Sequence, residues 1–318
     1  MDKKILVGGQ AVIEGVMMRV PGAYATAVRT LDGDIRTERK DHQSFTEKHP
    51  IFKKPILRGM ISLIESMKIG FGTLQWSADI AIEEEQKREN KKIKKESKLT
   101  TFLSTVFALV LGVGLFLILP LFLTTKLLNI EKQAFYFNIV AGSFRILFFL
   151  CYLWIISLLK DVKILFQYHG AEHKTVFAFE DGQELTVENV RPYTTFHPRC
   201  GTSFIFIILI VSILMYALID LLVILAIGDI NLPIRIIFHL ALLPLVSGVG
   251  YEFLKMTAQY QEKPFFAAMT QPGLWLQRIT TQEPTDEQLE IAITALKTAF
   301  GSKYSEYAGQ KYKAEAID

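Results

Sequence analysis

The spacing of apolar and polar positions changes period several times along the chain, and each change marks a different element. Tyr24-Ala25-Thr26-Ala27-Val28-Arg29-Thr30 and Ile35-Arg36-Thr37-Glu38 alternate every second residue on either side of Leu31-Asp32-Gly33-Asp34, which predicts a β-hairpin closed by an Asp-Gly turn. Between Pro55 and Ile82 the period lengthens to that of a helix, with Ile56, Met60, Leu63, Ile64, Met67 and Phe71 on the apolar side. Arg58, Glu65 and Lys68 keep it from reading as a span, so it is expected to lie on a membrane surface or to cover the hairpin. Near the C-terminus, Thr285-Asp286-Glu287-Gln288 has the form of a capping box. It is followed by Leu289, Ile293, Leu296 and Phe300, the stripe of a short amphipathic helix.

Between these segments the polar positions almost disappear. Four apolar runs, Phe102 to Thr125, Phe135 to Leu159, Phe204 to Ile227 and Leu232 to Leu254, match the roughly 20 residues needed to cross about 30 Å of hydrocarbon. The expected fold is a mainly α membrane protein, a four-helix transmembrane bundle with a small α+β cytoplasmic portion. Its expected parts are a hairpin and amphipathic helix at 1–82, a basic juxtamembrane segment at 83–100, the bundle at 101–255 with a cytoplasmic His/Cys loop at 160–203, and a C-terminal region at 256–318. The apolar run after Lys3-Lys4 is only Ile5-Leu6-Val7, too short for a signal-peptide core, so the N-terminal region is expected to stay on the side where it is made.

Composition agrees with this pattern. Of 318 residues, 50% are hydrophobic and 21% charged, with a mean hydropathy of +0.28, which excludes intrinsic disorder and argues against an ordinary cytosolic enzyme. A net charge of +3 points to no specific nucleic acid, but its distribution carries information. The run Lys87-Arg88-Glu89-Asn90-Lys91-Lys92-Ile93-Lys94-Lys95-Glu96-Ser97-Lys98 precedes the first span. Lys160, Lys163, Lys174, Arg191 and Arg199 lie between the second and third, and none occurs in Gly228-Asp229-Ile230-Asn231. By the positive-inside rule both termini are expected in the cytoplasm of a bacterial cell, with the inner-membrane bilayer and its anionic headgroups as first partners. Cys151 and Cys200, on this topology at lipid depth and on the cytoplasmic side, do not form a disulfide framework.

The densest chemistry is Tyr168-His169-Gly170-Ala171-Glu172-His173-Lys174, followed beyond a predicted hairpin turn at Glu180-Asp181-Gly182-Gln183 by His197-Pro198-Arg199-Cys200-Gly201. On a helix His169 and His173 share one face and can hold one metal ion. His197 and Cys200 add an H-x-x-C pair, which makes a His3Cys set suited to zinc or another divalent ion. H-x-x-E-H is also the inverted zincin order, with Glu172 as the base acting on a water. With all four ligands engaged the site is closed and structural. With three it keeps a position for water. A third reading is a free Cys200 nucleophile activated by His197. If the second span runs on as one straight helix, His169 ends about 15 Å beyond the bilayer, so the loop must fold back or the helix must break for the two pairs to meet.

Gly8-Gly9-Gln10-Ala11-Val12-Ile13-Glu14-Gly15-Val16-Met17-Met18-Arg19, Tyr168 to Thr175 and His197 to Phe204 together resemble the YqhQ-type family of bacterial multi-pass membrane proteins, over nearly the whole chain. That resemblance implies a domain of unknown function, often labelled a predicted metal-dependent enzyme, and no established substrate. In the first motif, Gln10, Glu14 and Arg19 are expected in a tight turn that fixes the local fold or completes the cytoplasmic site. Within the spans, Arg145 is expected near the bilayer centre, Asp220 to pair with Arg235 near the outer face, and His239 to neighbour Arg145. Glu252 is expected near the level of Cys200, as a supporting group or a partner for Arg199. The functional expectation is a peptidase-like, metal-dependent hydrolase at the cytoplasmic membrane surface. The rival is a non-enzymatic membrane-protein assembly or translocon-associated factor with a structural His/Cys loop. A transporter is disfavoured by four spans without an inverted repeat, although an oligomer would supply more.

Overall fold

The structure is a computed structural model that describes residues 3–89, 98–128, 130–260 and 263–314. The strands come first: β1 Lys3–Ile5, β2 Gly8–Val12, β3 Gly15–Val20, β4 Ala23–Arg29 and β5 Ile35–Asp41. Strands β2 to β5 form an antiparallel meander in sequence order. The predicted hairpin is its β4–β5 half, with Arg29 opposite Ile35 and Gly33 at a positive φ in the turn. The Gly8–Arg19 motif is a second hairpin, β2–β3, whose turn places Glu14 at φ 50.

Helices follow: α1 Phe45–Lys48, α2 Leu57–Arg88, α3 Lys98–Val113, α4 Leu119–Leu128, α5 Ala134–Ser157 and α6 Lys160–Glu180. After them come α7 Val187–Val190, α8 Gly201–Ile227, α9 Leu232–Ala241, α10 Leu243–Gln259, α11 Pro264–Thr280 and α12 Asp286–Phe300, and the strand β6 Tyr312–Ala314. The chain is mostly helical. Three helical stretches are long and apolar enough to cross a membrane: Leu99–Leu128, which runs through α3, a π-helical segment and α4, then Ala134–Ser157 and Phe204–Ile227. The fourth apolar run is bent by 53° between α9 and α10, so that up to four spans are available. Pro244 causes the break, since at the start of α10 it has no N–H for the carbonyl one turn back.

Two expectations change, and one alternative is decided: the second apolar helix breaks and does not run straight on toward His169. It ends at Ser157, and Leu159 adopts an extended conformation (φ −74, ψ 135) from which α6 starts in a new direction. The predicted hairpin turn at Glu180 to Gln183 is a helix terminus, with Gln183 N–H bonded to the Ala178 carbonyl and Gly182 N–H to that of Phe179. The soluble segments are also not separate pieces. Strand β1 pairs in parallel with β6, and α12, opened by the predicted Thr285/Gln288 capping box, packs on the sheet beside α6. Val16, Met18, Ala25, Tyr168, Phe179, Leu289, Leu296 and Phe300 share this core. Most of the basic run before the first span, residues 90–97, lies outside the described residues.

Candidate metal centre

Helix α6 presents His169 and His173 one turn apart, with ring centroids 4.4 Å from each other. The chain returns through residues 181–200 and brings Cys200 to the start of α8, where its Sγ lies 3.1 Å from His169 Nε2 and accepts the Thr202 N–H at 3.4 Å. One donor atom from each of His169, His173 and Cys200 lies within 4.8 Å of the other two. Ligand atoms around a tetrahedral zinc lie about 3.5 Å apart, so the three donors are within a small adjustment of that spacing and supply three of the four positions. His173 and Cys200 are buried, and His169 is half-buried.

The outer edges of the two imidazoles decide what the inner edges can do. His169 Nδ1 lies 2.7 Å from the Thr280 carbonyl and His173 Nδ1 lies 2.5 Å from the Thr195 carbonyl. A carbonyl oxygen only accepts, so each Nδ1 carries the proton, and in the neutral ring Nε2 keeps its lone pair. This is the arrangement that orients metal-ligating histidines. Gly170 lets α6 approach closely enough for these bonds, because a Cβ there would lie 2.1 Å from the Gln282 carbonyl oxygen.

Glu172 is buried beside the donors, with Oε2 3.4 Å from His173 Nε2. Burial pushes its carboxyl up to about 6, while the Gly9 N–H and Arg199 act the other way. The Gly9 contact ties the N-terminal hairpin to the centre. A Cβ on Gly9 would meet Glu172 Cγ at 3.1 Å and the Met17 carbonyl oxygen at 2.2 Å, so the glycine permits the approach.

His197 takes a different place from the one its spacing suggests. Its Nδ1 accepts the Arg199 N–H at 3.3 Å, and its Nε2 lies 3.4 Å from the Arg199 guanidinium. Burial first, then the Arg199 charge, lowers its pKa well below the usual histidine value, which keeps it neutral. Gln277 on α11 fixes its backbone, accepting the His197 N–H and donating to the His197 carbonyl, both at 2.7 Å. The residue that faces Cys200 is therefore His169, and the His197–Cys200 nucleophile arrangement does not form. Arg199 forms a buried ion pair with Glu180. Glu252 bonds Arg58 at 2.6 Å through Oε1 and at 2.5 Å through Oε2, and is not the partner of Arg199.

The N-terminal motif is dispersed around α6 and α2. Glu14 Oε2 accepts from the Tyr168 hydroxyl at 3.4 Å, and burial raises its carboxyl. Gln10 Nε2 donates to the Gly70 carbonyl and to Thr73 Oγ1, both at 3.1 Å, and the Arg19 charge acts on His42 and Tyr251. Glu14 thus contacts a neighbour of the centre, and Gln10 ties β2 to α2. The residues that sequence reading missed are Thr195, Thr280, Gly9 and Gln277. Three of them act through backbone groups, which leave no side-chain signature.

The charged residues of the bundle meet one another. Asp220 accepts from Asn138 Nδ2 at 2.6 Å and bonds His239 Nε2 at 2.9 Å, it forms an ion pair with Arg235, whose Nε lies 2.9 Å away, and His239 Nδ1 lies 3.4 Å from Arg145. All five side chains are buried.

The family described as "Protein of unknown function (DUF1385)" matches residues 54–302, a stretch that contains all three converging donors and Glu172. The chain is also 34% identical over 299 residues to "Uncharacterized protein YqhQ" of Bacillus subtilis (strain 168), covering 90% of this chain and 89% of that one. No solved structure matches.

Proposed function

We propose that this chain, which belongs to the DUF1385 family of proteins of unknown function, is a metal-dependent hydrolase, peptidase-like, at the cytoplasmic surface of the bacterial inner membrane. The observation that carries the reading is the convergence of His169, His173 and Cys200 with both histidines anchored through Nδ1 to carbonyls. Two imidazoles and a thiolate suit zinc above the harder divalent ions. His169, His173 and Cys200 would hold such an ion, which would supply Lewis acidity. Glu172, buried beside these donors with its carboxyl raised to about 6, would take a proton from a water as that water attacks a peptide carbonyl. The same carboxyl then returns the proton to the departing amine as the C–N bond breaks. The long apolar helices support membrane insertion, and the lysines and arginines flanking them support cytoplasmic termini.

One observation favours the rival reading of a non-enzymatic assembly factor. Cys200 and His173 are buried, and the centre joins α6, the start of α8 and the end of α11, as a structural clip does. Elemental analysis of the detergent-purified protein decides whether a metal is held at all: one equivalent of zinc is expected in the wild type, and none in His173→Ala or Cys200→Ser. Zinc absent from the wild type overturns the hydrolase reading and leaves the rival. Glu172→Gln separates them. In the hydrolase reading it keeps its metal, and peptides accumulate in the membranes of cells carrying it, measured by mass spectrometry. An unchanged peptide population leaves the structural clip.

A further inference from the structure

Helix α2 has two faces, and the structure covers only one of them. Gly59, Ser62, Ile69, Thr73, Ser77, Ile80 and Glu84 point inward, against α10 at the start of the helix and against the sheet further on. The opposite face is apolar. Ile64 is 59% exposed and Phe71 58% exposed, and Leu57, Met67 and Leu74 are exposed with them. With half-buried Met60 between Leu57 and Ile64, they recur every three or four residues and form a stripe along nearly five turns. So long a stripe of large apolar residues on a described surface marks a contact with something apolar.

Charge identifies the occupant. Lys53, Lys54 and Lys68 are exposed around the stripe, whereas four of the five carboxylates of α2 lie beyond it, at Asp79, Glu83, Glu84 and Glu85, and the fifth, Glu65, is engaged by the Ser44 hydroxyl and the Phe45 N–H. The stripe also begins where α2 leans on the bundle. Arg58 is paired with Glu252 of α10, and the Ile56 N–H donates to the same carboxylate at 3.3 Å. A lysine-flanked apolar helix face that starts beside a membrane-crossing helix and turns acidic with distance has the composition of an interfacial helix on an anionic leaflet.

We propose that α2 is a bilayer-surface anchor: its stripe from Leu57 to Leu74 sits at the headgroup and acyl boundary of the leaflet nearest the sheet module, with Lys53, Lys54 and Lys68 on anionic headgroups. The anchor fixes α2, and through the β2 hairpin and Gly9 it fixes the height of Glu172 relative to the membrane. This inference rests on insertion of the bundle and is independent of whether the centre is catalytic.

The test uses single-tryptophan variants of the full chain in lipid nanodiscs. One retains only Trp154, which is exposed on α5; the other lacks all three native tryptophans and carries Phe71→Trp at an exposed position. Lipids brominated near the glycerol end of the acyl chain are expected to quench both. Quenching at residue 71 is expected to be at least twofold stronger with phosphatidylglycerol present than in phosphatidylcholine alone, and to lose that gain when Lys53, Lys54 and Lys68 are changed to Gln. If Trp154 is quenched and the residue 71 probe is not, the anchor is overturned while membrane insertion stands. If neither is quenched, insertion itself fails and the anchor with it. A residue 71 probe shielded from brominated lipid and from aqueous acrylamide alike places a second copy or another protein on the stripe, and also overturns the anchor.

Discussion

Buried and half-buried histidines occur in both halves of this molecule, and they are held in opposite ways. At His169 and His173 a neutral carbonyl takes the Nδ1 proton, and the other edge of each ring is left with a lone pair toward Cys200. At His239 both edges are engaged by charged side chains, Asp220 on Nε2 at 2.9 Å and Arg145 on Nδ1 at 3.4 Å, and Tyr216 stacks on the ring at 4.0 Å. The first arrangement leaves chemistry available; the second consumes it in holding α5, α8 and α9 together. His197 belongs with the second kind although it lies in the same loop as the first, because Arg199 occupies both of its nitrogens. What separates a candidate ligand from a structural histidine here is the partner on its far edge, more than its burial or its neighbours in sequence.

The largest effect that tests this contrast is in the bundle. Asp220→Ala leaves Arg235 and His239 without their shared acceptor, and removing one partner of a buried ion pair costs about 3–5 kcal/mol. A thermal or denaturant melt in detergent is expected to show that loss with metal content unchanged. Wild-type stability in this variant would break the reading of the cluster as a structural one. Gly9→Ala comes next. The added Cβ forces β2 away from β3 and from Glu172, at about 1–3 kcal/mol for an overpacked contact, while all three donors stay in place. Smaller still is His197→Ala, expected to cost about 1–2 kcal/mol in lost packing against Phe177 and to leave zinc stoichiometry intact. Zinc lost from this variant would place His197 among the ligands and dissolve the distinction drawn above.

Much of this was legible in the chain, and the parts that were not have a common cause. The first three apolar helices, the β4–β5 hairpin and the Thr285/Gln288 capping box follow from local periodicity and local hydrogen-bonding chemistry, so the sequence states them directly. The Asp220–Arg235 pair was also readable, because helical rise alone brings the two residues to one depth. The break at Leu159 has no proline or glycine to announce it. The pairing of β1 with β6 joins opposite ends of the chain, and α11 reveals its role only when Gln277 and the Thr280 carbonyl meet residues of distant segments. In the candidate centre, residue types and spacing indicated four ligands. The structure brings three together, since the partner that captures His197 is its neighbour Arg199, a residue the H-x-x-C spacing treats as filler.

The smallest effect lies at the surface of the same loop and carries the contrast to exposed groups. Asp181 accepts from the Tyr193 hydroxyl at 2.7 Å and from Lys311 at 2.9 Å, and these bonds, Tyr193 first, hold its carboxyl down to about 2 from an ordinary 3.8. A depressed carboxylate stabilises the fold above its unfolded pKa and loses that contribution as pH falls through the folded one. Lys311 directly precedes β6, so the bond helps to keep that strand on β1. Melts of the wild type and Asp181→Asn are therefore expected to differ above about pH 4 and to converge as pH approaches about 2. Because the Lys311 pair is solvent-exposed, added salt should shrink its part of the difference, leaving the Tyr193 bond. A gap that stays constant from neutral pH to pH 2 would mean that Asp181 acts through helix termination alone, and that the charge on this exposed turn, unlike the charges inside the bundle, contributes nothing to holding the chain ends together.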